Sequence, residues 1–268
     1  MPISLRQLVL VVLFATALGI IGQNVSASGG QDQVGLSGAW VEQPARSVDA
    51  RPAPPDDAPD GGEEARIQVL GRTVMSSVRG NRADIKPSSL PSRRFGWIAA
   101  PVGICAATPC FAGSGFFETG YYQEEGWDTI HQYAASMSSG KSSTYQFWVS
   151  THELDPQTTS TFEVLYNRRA ARWEARLDSS VVYYRADLNF TAGEQLACGG
   201  EAGRANARID VRCRNNQYRT GTDDWIDWIF TWQSARFFPG GYCVTSIGAN
   251  DFRAHGPGVR ACPSTASR

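Results

Sequence analysis

Short segments of alternating apolar and polar residues dominate the chain from residue 95 onward, and turn residues separate them. The clearest stretch is 161–184, where apolar side chains recur at every second position on both sides of a turn at 167–170. This pattern predicts a β-meander with one buried face. Further strands are predicted at 96–100, 115–122, 130–134 and 143–149. Strands at this spacing predict an all-β domain, a double-sheet sandwich of the jelly-roll (concanavalin-like) type.

One segment departs from the strand pattern. Trp225, Trp228, Ile229 and Trp232 follow one another at the i, i+3, i+4, i+7 spacing of an amphipathic helix. The alternative is a strand at the rim of a barrel. Periodicity slightly favours a short helix over 223–232.

The first 27 residues have the pattern of a secretory signal. Arg6 precedes a long apolar run, which breaks near residue 22 and ends in Val25-Ser26-Ala27, an A-x-A-like cleavage site. The alternative is an uncleaved membrane anchor, for which the run is rather short. No cysteine follows the run, which argues against a lipoprotein anchor. We therefore expect a secreted, extracellular protein with no membrane contact once the signal is removed.

Composition divides the rest of the chain. Residues 28–64 are rich in Pro, Asp and Gly and are predicted to be a flexible linker. Residues 65–94 are modestly apolar and end at the basic pair Arg93-Arg94, so they form either an edge strand of the domain or the tail of a pro-segment cut there. Residues 95–268 are predicted to form the β-sandwich domain.

Charge restricts the partners of this protein. The chain has 25 Lys and Arg against 26 Asp and Glu, so no strong field favours nucleic acid or an anionic membrane. Aromatic residues make up 11% of the chain, including eight Trp. This composition favours an all-β secreted domain, and it leaves the oligomeric state open. The two functional hypotheses given below imply a peptide or a polysaccharide ligand.

The six cysteines are an even number in a chain predicted to be exported, which indicates disulfides. We predict three sequence-local pairs, each closing a short loop or hairpin: Cys105–Cys110, Cys198–Cys213 and Cys243–Cys262. A catalytic cysteine is not expected, since all six can pair. The chain has no Cys-x-x-Cys, and its three histidines lack ligand spacing, so we expect no metal site and no cofactor.

Two glutamates lie in unusual sequence surroundings. Glu118 belongs to an aromatic segment, where strand alternation places it on the face opposite Phe117 and Thr119. Glu201 follows a Cys-Gly-Gly at 198–200. Two carboxyl groups that meet on an aromatic face can divide a reaction, one taking a proton from water and the other donating a hydrogen bond to a carbonyl. The alternative is that each is a solvated strand residue or pairs with an arginine.

The surroundings of these glutamates resemble those in glutamic peptidases. The Phe-Glu-Thr-Gly-Tyr at 117–121 is similar to the strand that carries the first catalytic residue, a Gln-Thr-Gly in the fungal enzymes and a Glu in the neprosin-type enzymes. The Gly-Gly-Glu at 199–201 is similar to the segment that carries the second glutamate of neprosins. The resemblance covers about 95–232 and implies a jelly roll whose Glu118–Glu201 dyad activates water for peptide hydrolysis at acidic pH.

A non-catalytic binding module is the second hypothesis. Jelly rolls can bind glycans by stacking aromatic rings on sugars while polar groups fix the orientation. For either function, the residues predicted to bind the substrate or ligand are Tyr121, Tyr122, Gln123, Trp127, Tyr133 and Trp173. A third hypothesis, glycoside hydrolysis by the same two glutamates, lacks an accompanying motif.

Overall fold

The computed structural model describes residues 67–87, 97–108, 110, 114–140, 145–203, 207–221, 224–228, 232–236, 241–256, 259 and 262. The predicted signal at 1–27, the predicted linker at 28–64 and the basic pair Arg93-Arg94 lie outside these residues. Among the described residues, no helix has the length and hydrophobicity needed to cross a membrane.

The described residues form two antiparallel sheets, which confirms the predicted all-β double-sheet sandwich. The seven-stranded sheet has the spatial order β13 (Trp232–Arg236), β1 (Ile67–Val78), β10 (Gly193–Ala202), β3 (Trp97–Cys105), β4 (Phe116–Glu124), β5 (Ile130–Met137) and β6 (Gln146–Leu154). The eight-stranded sheet has the order β14 (Cys243–Ser246), β15 (Phe252–His255), β11 (Asp210–Arg219), β2 (Gly80–Ile85), β7 (Ser160–Asn167), β8 (Arg172–Leu177) and β9 (Ser180–Arg185), with β12 (Ile226–Asp227) paired to β11.

The main core lies between the two sheets. On β4, Phe117 and Tyr121 point inward and are buried, and the indole of Trp173 on β8 lies 5.9 Å from the Phe117 ring. The indole N–H of Trp173 donates to the carbonyl of Phe190 at 2.7 Å. Burial of each such side chain stabilises the fold by about 1.5–3 kcal/mol. Because side chains alternate along a strand, Glu118 and Tyr122 face away from this core.

The predicted meander at 161–184 corresponds to β7, β8 and β9, which are consecutive in the chain and adjacent in the sheet. Asp178 and Ser179 form the second turn with φ angles of 48° and 71°. Such left-handed values are tolerated in tight hairpin turns, where they match the twist of the strands.

All three predicted disulfides are confirmed: Cys105–Cys110, Cys198–Cys213 and Cys243–Cys262. Cys198 belongs to β10 and Cys213 to β11, so this bridge joins one sheet to the other rather than closing a hairpin within one sheet. Both cysteines are fully buried. The bridge fixes β10 to the opposite layer three residues before Glu201.

The segment before residue 95 contributes a strand to each sheet. Strand β1 lies between β10 and β13, and β2 lies between β11 and β7, so both are interior strands and not edge strands. A single residue, Arg79, separates them, and the chain changes sheets there. Cleavage near Arg93-Arg94 stays a prediction.

The helix predicted over 223–232 is wrong where the structure describes it. Ile226–Asp227 forms β12 beside β11, and Trp232–Arg236 forms β13 beside β1. Trp228 is buried against Phe252 at a ring distance of 5.8 Å. The described parts of this segment are therefore strands, one in each sheet.

Candidate active site

Glu118 and Glu201 lie on the outer face of the seven-stranded sheet, on two strands that flank β3. Glu118 is opposite Gly103 of β3, and Glu201 is opposite Ala99 of the same strand. Strands β4 and β10 are therefore two spacings apart, about 10 Å. Gly103 and Ala99 are four positions apart on β3, about 13 Å along the strand, and with Pro101 between them they form the floor of this face.

Both glutamates line one pocket. The lining residues are Trp97, Ala99, Glu118, Tyr122, Tyr133, Tyr145, Phe147 and Glu201. The pocket encloses a volume of about 10 Å³, enough for about one water molecule. Glu201 is 3% exposed, whereas Glu118 is half-buried. Two carboxyl groups far apart in sequence thus reach one small, largely aromatic space.

Two close approaches of the backbone shape this floor. A Cβ atom at Gly103 would lie 3.0 Å from the Cβ of Glu118, so the glycine leaves room for the Glu118 side chain. A Cβ at Gly120 would lie 1.9 Å from the carbonyl oxygen of Ala100, so no residue with a side chain fits at this position. The Gly in the Glu-Thr-Gly segment is therefore required by the contact of β4 with β3.

The Tyr133 hydroxyl donates a hydrogen bond to Oε1 of Glu118 at 3.2 Å. Tyr133 is 1% exposed. Burial raises the pKa of Tyr133 well above its usual value, and the nearby carboxylates of Glu118 and Glu201 raise it further. The phenol therefore stays protonated and acts as a fixed donor toward Glu118.

Glu201 has a different donor. The side-chain amide of Gln68 on β1 donates to Oε1 of Glu201 at 2.6 Å, and the two residues are directly opposite in the strand register. An amide can donate to a carboxylate without exchanging a proton with it. Each carboxyl of the pair is thus held by its own neutral donor, one from β5 and one from β1.

The structure distributes the predicted substrate-binding residues over three places. Tyr122 and Tyr133 line the pocket. Gln123 is buried and donates to the carbonyl of Trp127 at 2.9 Å, and the half-exposed Trp127 packs edge-on against Tyr122. Tyr121 and Trp173 pack in the core between the sheets and do not line the pocket.

Three aromatic residues of the pocket and the amide that donates to Glu201 were missed by the sequence analysis: Trp97, Tyr145, Phe147 and Gln68. Gln68 belongs to a segment whose place in the domain depends on pairing with β10, more than a hundred residues away. The three aromatic residues fall in or beside predicted strands. Placing Phe147 on the same face of the sheet as Glu118 requires the register of β5 with β6, which the sequence does not give. Aromatic clustering was the one signal available.

One further group of metal-type ligands occurs among the described residues. The ligand atoms of Cys243, His255 and Cys262 lie within 4.8 Å of one another. The two sulfur atoms are bonded to each other, whereas zinc binds cysteine as a thiolate. His255 Nε2 is 3.3 Å from the sulfur of Cys243 and 3.0 Å from Oγ1 of Thr245. With the disulfide formed, this group is a structural contact and not a metal site.

Chemically, the pocket offers two carboxyl groups that differ in exposure and in hydrogen-bond donor. Carboxylates accept protons and carboxylic acids donate them, so a pair of this kind can supply both functions at one reacting centre.

Comparison with solved structures finds several similar chains. The structure is similar to that of Scytalido-glutamic peptidase with a peptide-based transition state analog, at 10% identity and a TM-score of 0.47, over 72% of this chain and 98% of that chain. It is also similar to a member of the Eqolisin family of peptidases in a complex with the tripeptide Ala-Ile-His, at 11% identity and a TM-score of 0.46, over 72% and 98%. Both of these similar structures are peptidases, as their names state.

A carbohydrate-active enzyme is also among the similar structures. The kappa-carrageenase from Pseudoalteromonas carrageenovora, in complex with an oligotetrasaccharide of kappa-carrageenan, matches at 10% identity and a TM-score of 0.34, over 71% of this chain and 79% of that chain. No family model and no curated protein sequence matches the chain.

Proposed function

We propose that this protein is an exported peptidase that hydrolyses peptide bonds with Glu118 and Glu201 at acidic pH. The observation that supports the proposal is the shared pocket: two carboxyls from strands on either side of β3, each with its own neutral hydrogen-bond donor. The three disulfides are consistent with an oxidising, extracellular compartment, in agreement with the predicted signal.

The proposed reaction uses one carboxyl as the carboxylate and the other as the acid. The carboxylate takes a proton from a water molecule while the water oxygen attacks the peptide carbonyl carbon. The carboxylic acid donates a hydrogen bond to the carbonyl oxygen as negative charge develops there. Collapse of the tetrahedral intermediate breaks the C–N bond, and the amine leaves with a proton from the first carboxyl. Mildly acidic pH suits this scheme because one of the two carboxyls must hold a proton.

Tyr133 and Gln68 would position the pair. Tyr133 donates to Glu118 and Gln68 donates to Glu201, so neither carboxyl depends on water alone for its orientation. Fixed donors reduce the reorganisation needed when charge moves between the carboxyls and the substrate.

The test is casein hydrolysis from acidic to neutral pH, with wild-type protein and the Glu118→Gln and Glu201→Gln variants. We expect each variant to lose about 100-fold or more of the activity, the usual contribution of a general acid or base. The activity of the double variant should equal that of the less active single variant, because the two groups act as a unit.

Matched controls come from the same two strands. Glu124→Gln on β4 and Glu194→Gln on β10 make the same change at exposed glutamates outside the pocket and should keep wild-type activity. Wild-type protein that cleaves no casein at any pH, before and after trypsin nicking near Arg94, would overturn the proposal. Binding to glycan arrays would then favour the carbohydrate-binding alternative.

A further inference from the structure

One of the three disulfides lies against a histidine. Cys243 on β14 and His255 on β15 are directly opposite in the strand register, and the bridge runs from Cys243 to Cys262. His255 is fully buried, and its Nε2 and Nδ1 lie 3.3 Å and 3.8 Å from the sulfur of Cys243. Both nitrogen atoms of the ring are therefore close to the same sulfur of the bridge.

The contact does not depend on which nitrogen of His255 carries the proton. Oγ1 of Thr245 is 3.0 Å from Nε2, and a hydroxyl can accept from an Nε2–H or donate to a bare Nε2. In the first tautomer the Nε2–H is beside the sulfur of Cys243, and in the second the Nδ1–H is beside it. Either neutral tautomer thus places a hydrogen-bond donor next to this sulfur.

The charged groups around His255 are paired with one another. Asp210 is opposite His255 in the pairing of β11 with β15, and its two carboxylate oxygens accept from Arg253 at 2.6 Å and 2.7 Å. Arg212, which is opposite Arg253, donates to Asp251. Neither carboxylate is therefore left unpaired to oppose negative charge on the sulfur that His255 contacts.

The two sulfurs of this bridge differ in access. Cys243 is 8% exposed, whereas Cys262 is half-buried and its sulfur lies 3.1 Å from the carbonyl oxygen of Gly241, near the surface. Cys198 and Cys213, in contrast, are both fully buried. A thiolate that opens a disulfide attacks one accessible sulfur and displaces the other. Here the accessible sulfur is that of Cys262, and the displaced sulfur is the one beside the histidine.

From this geometry we infer that Cys262 is a site of thiol–disulfide exchange with a small thiol. The thiolate of the small molecule bonds to the sulfur of Cys262 as a mixed disulfide, the bond from Cys262 to Cys243 breaks, and Cys243 leaves with the electron pair as a thiolate. His255 donates a hydrogen bond to that thiolate and so favours its departure. A second small thiolate then attacks the sulfur of the first and releases Cys262 as a thiolate. The bridge gains two electrons, and two small thiols lose them as they form their own disulfide.

The test uses the folded protein with all three bridges formed and reduced glutathione, at neutral pH and without denaturant. Samples taken over time are quenched with N-ethylmaleimide and mapped by peptide mass spectrometry. We expect glutathione on Cys262 and maleimide on Cys243 before any other cysteine is modified. Glutathione on Cys243 instead, earlier opening of another bridge, or no modification at all would overturn the inference. None of these outcomes depends on whether the protein cleaves peptides.

A variant tests the role of the imidazole. His255→Phe keeps a ring at this buried position and removes both nitrogen atoms, so it should slow formation of the Cys262 adduct about threefold or more, because the departing thiolate loses its donor. His131→Phe makes the same change on β5 of the other sheet and should keep the wild-type rate. Equal rates in His255→Phe and wild type would overturn the part assigned to His255.

A second measurement does not require His255→Phe to fold. In Cys262→Ser the only free thiol is that of Cys243, because the other four cysteines are bridged. Ultraviolet absorbance at neutral pH should show a thiolate fraction about threefold or more above the few per cent of an ordinary cysteine. A fraction equal to that of an ordinary cysteine, or below it, would overturn the inference.

Discussion

The hydrogen bond from Tyr133 to Glu118 gives the most specific prediction, since one atom can be removed without disturbing the packing. In Tyr133→Phe the ring keeps its contacts with Tyr122 and Phe147, whose ring centres lie 6.2 Å and 5.5 Å away. The lost bond has a charged acceptor, and such bonds contribute about 1.5–3 kcal/mol. The O···O distance of 3.2 Å exceeds the usual range, so we expect the lower part of that interval, about 1.5–2 kcal/mol.

That free energy corresponds to a loss of about 10- to 30-fold in kcat/KM, since each 1.36 kcal/mol is tenfold. The assay is steady-state hydrolysis of casein at the optimal pH. Tyr242→Phe is the matched control: it removes the same atom from a buried ring outside the pocket, whose hydroxyl donates to the carbonyl of Ala207 at 2.8 Å. Equal losses in the two variants, or no loss in Tyr133→Phe, would refute the assigned role of the Tyr133 hydroxyl.

Three further predictions concern stability and processing. Replacing Cys198 and Cys213 by Ala should lower the free energy of unfolding by about 3 kcal/mol in urea denaturation, because the bridge spans 15 residues; a loss under about 1 kcal/mol would contradict this estimate. Burial raises the pKa of Glu163 despite the opposing charge of a nearby arginine, so its contribution to stability is present below about pH 4 and is lost as pH rises through the folded-state pKa. Glu163→Gln should therefore gain stability relative to wild type between pH 4 and pH 7 in the same assay, and a constant difference would argue against it. Limited trypsin cleavage after Arg94 should leave the strands at 67–85 bound, because β1 and β2 each lie between two other strands of their sheets. The two fragments should elute together in native size-exclusion chromatography, and separate elution would contradict this prediction.

The sequence could predict which residues of a strand share a face. Alternation placed Glu118 on the face opposite Phe117 and Thr119, and the structure has this arrangement. Alternation does not say which face lies in the core. Tyr121 and Trp173 were therefore predicted as binding residues, although they fill the space between the sheets.

The lining of one pocket by both Glu118 and Glu201 depends on information that is not local. Their strands are separated by β3, so their proximity depends on two registers, β3 with β4 and β3 with β10. The same is true of Gln68, which reaches Glu201 through the pairing of β1 with β10. Long-range pairing has no local sequence signal, whereas the three disulfides join cysteines that are close in sequence and could be paired by proximity alone.

The Cys198–Cys213 bridge also decides how the protein should be produced. It holds the strand of Glu201 to the opposite sheet, and its expected contribution of about 3 kcal/mol is a large fraction of the roughly 5–15 kcal/mol that stabilise a domain. Material made in a reducing bacterial cytosol would lack the bridge and would be prone to misfold. Activity should therefore be measured on protein expressed in the periplasm or in a eukaryotic secretory pathway, after thiol titration has shown that the cysteines are oxidised.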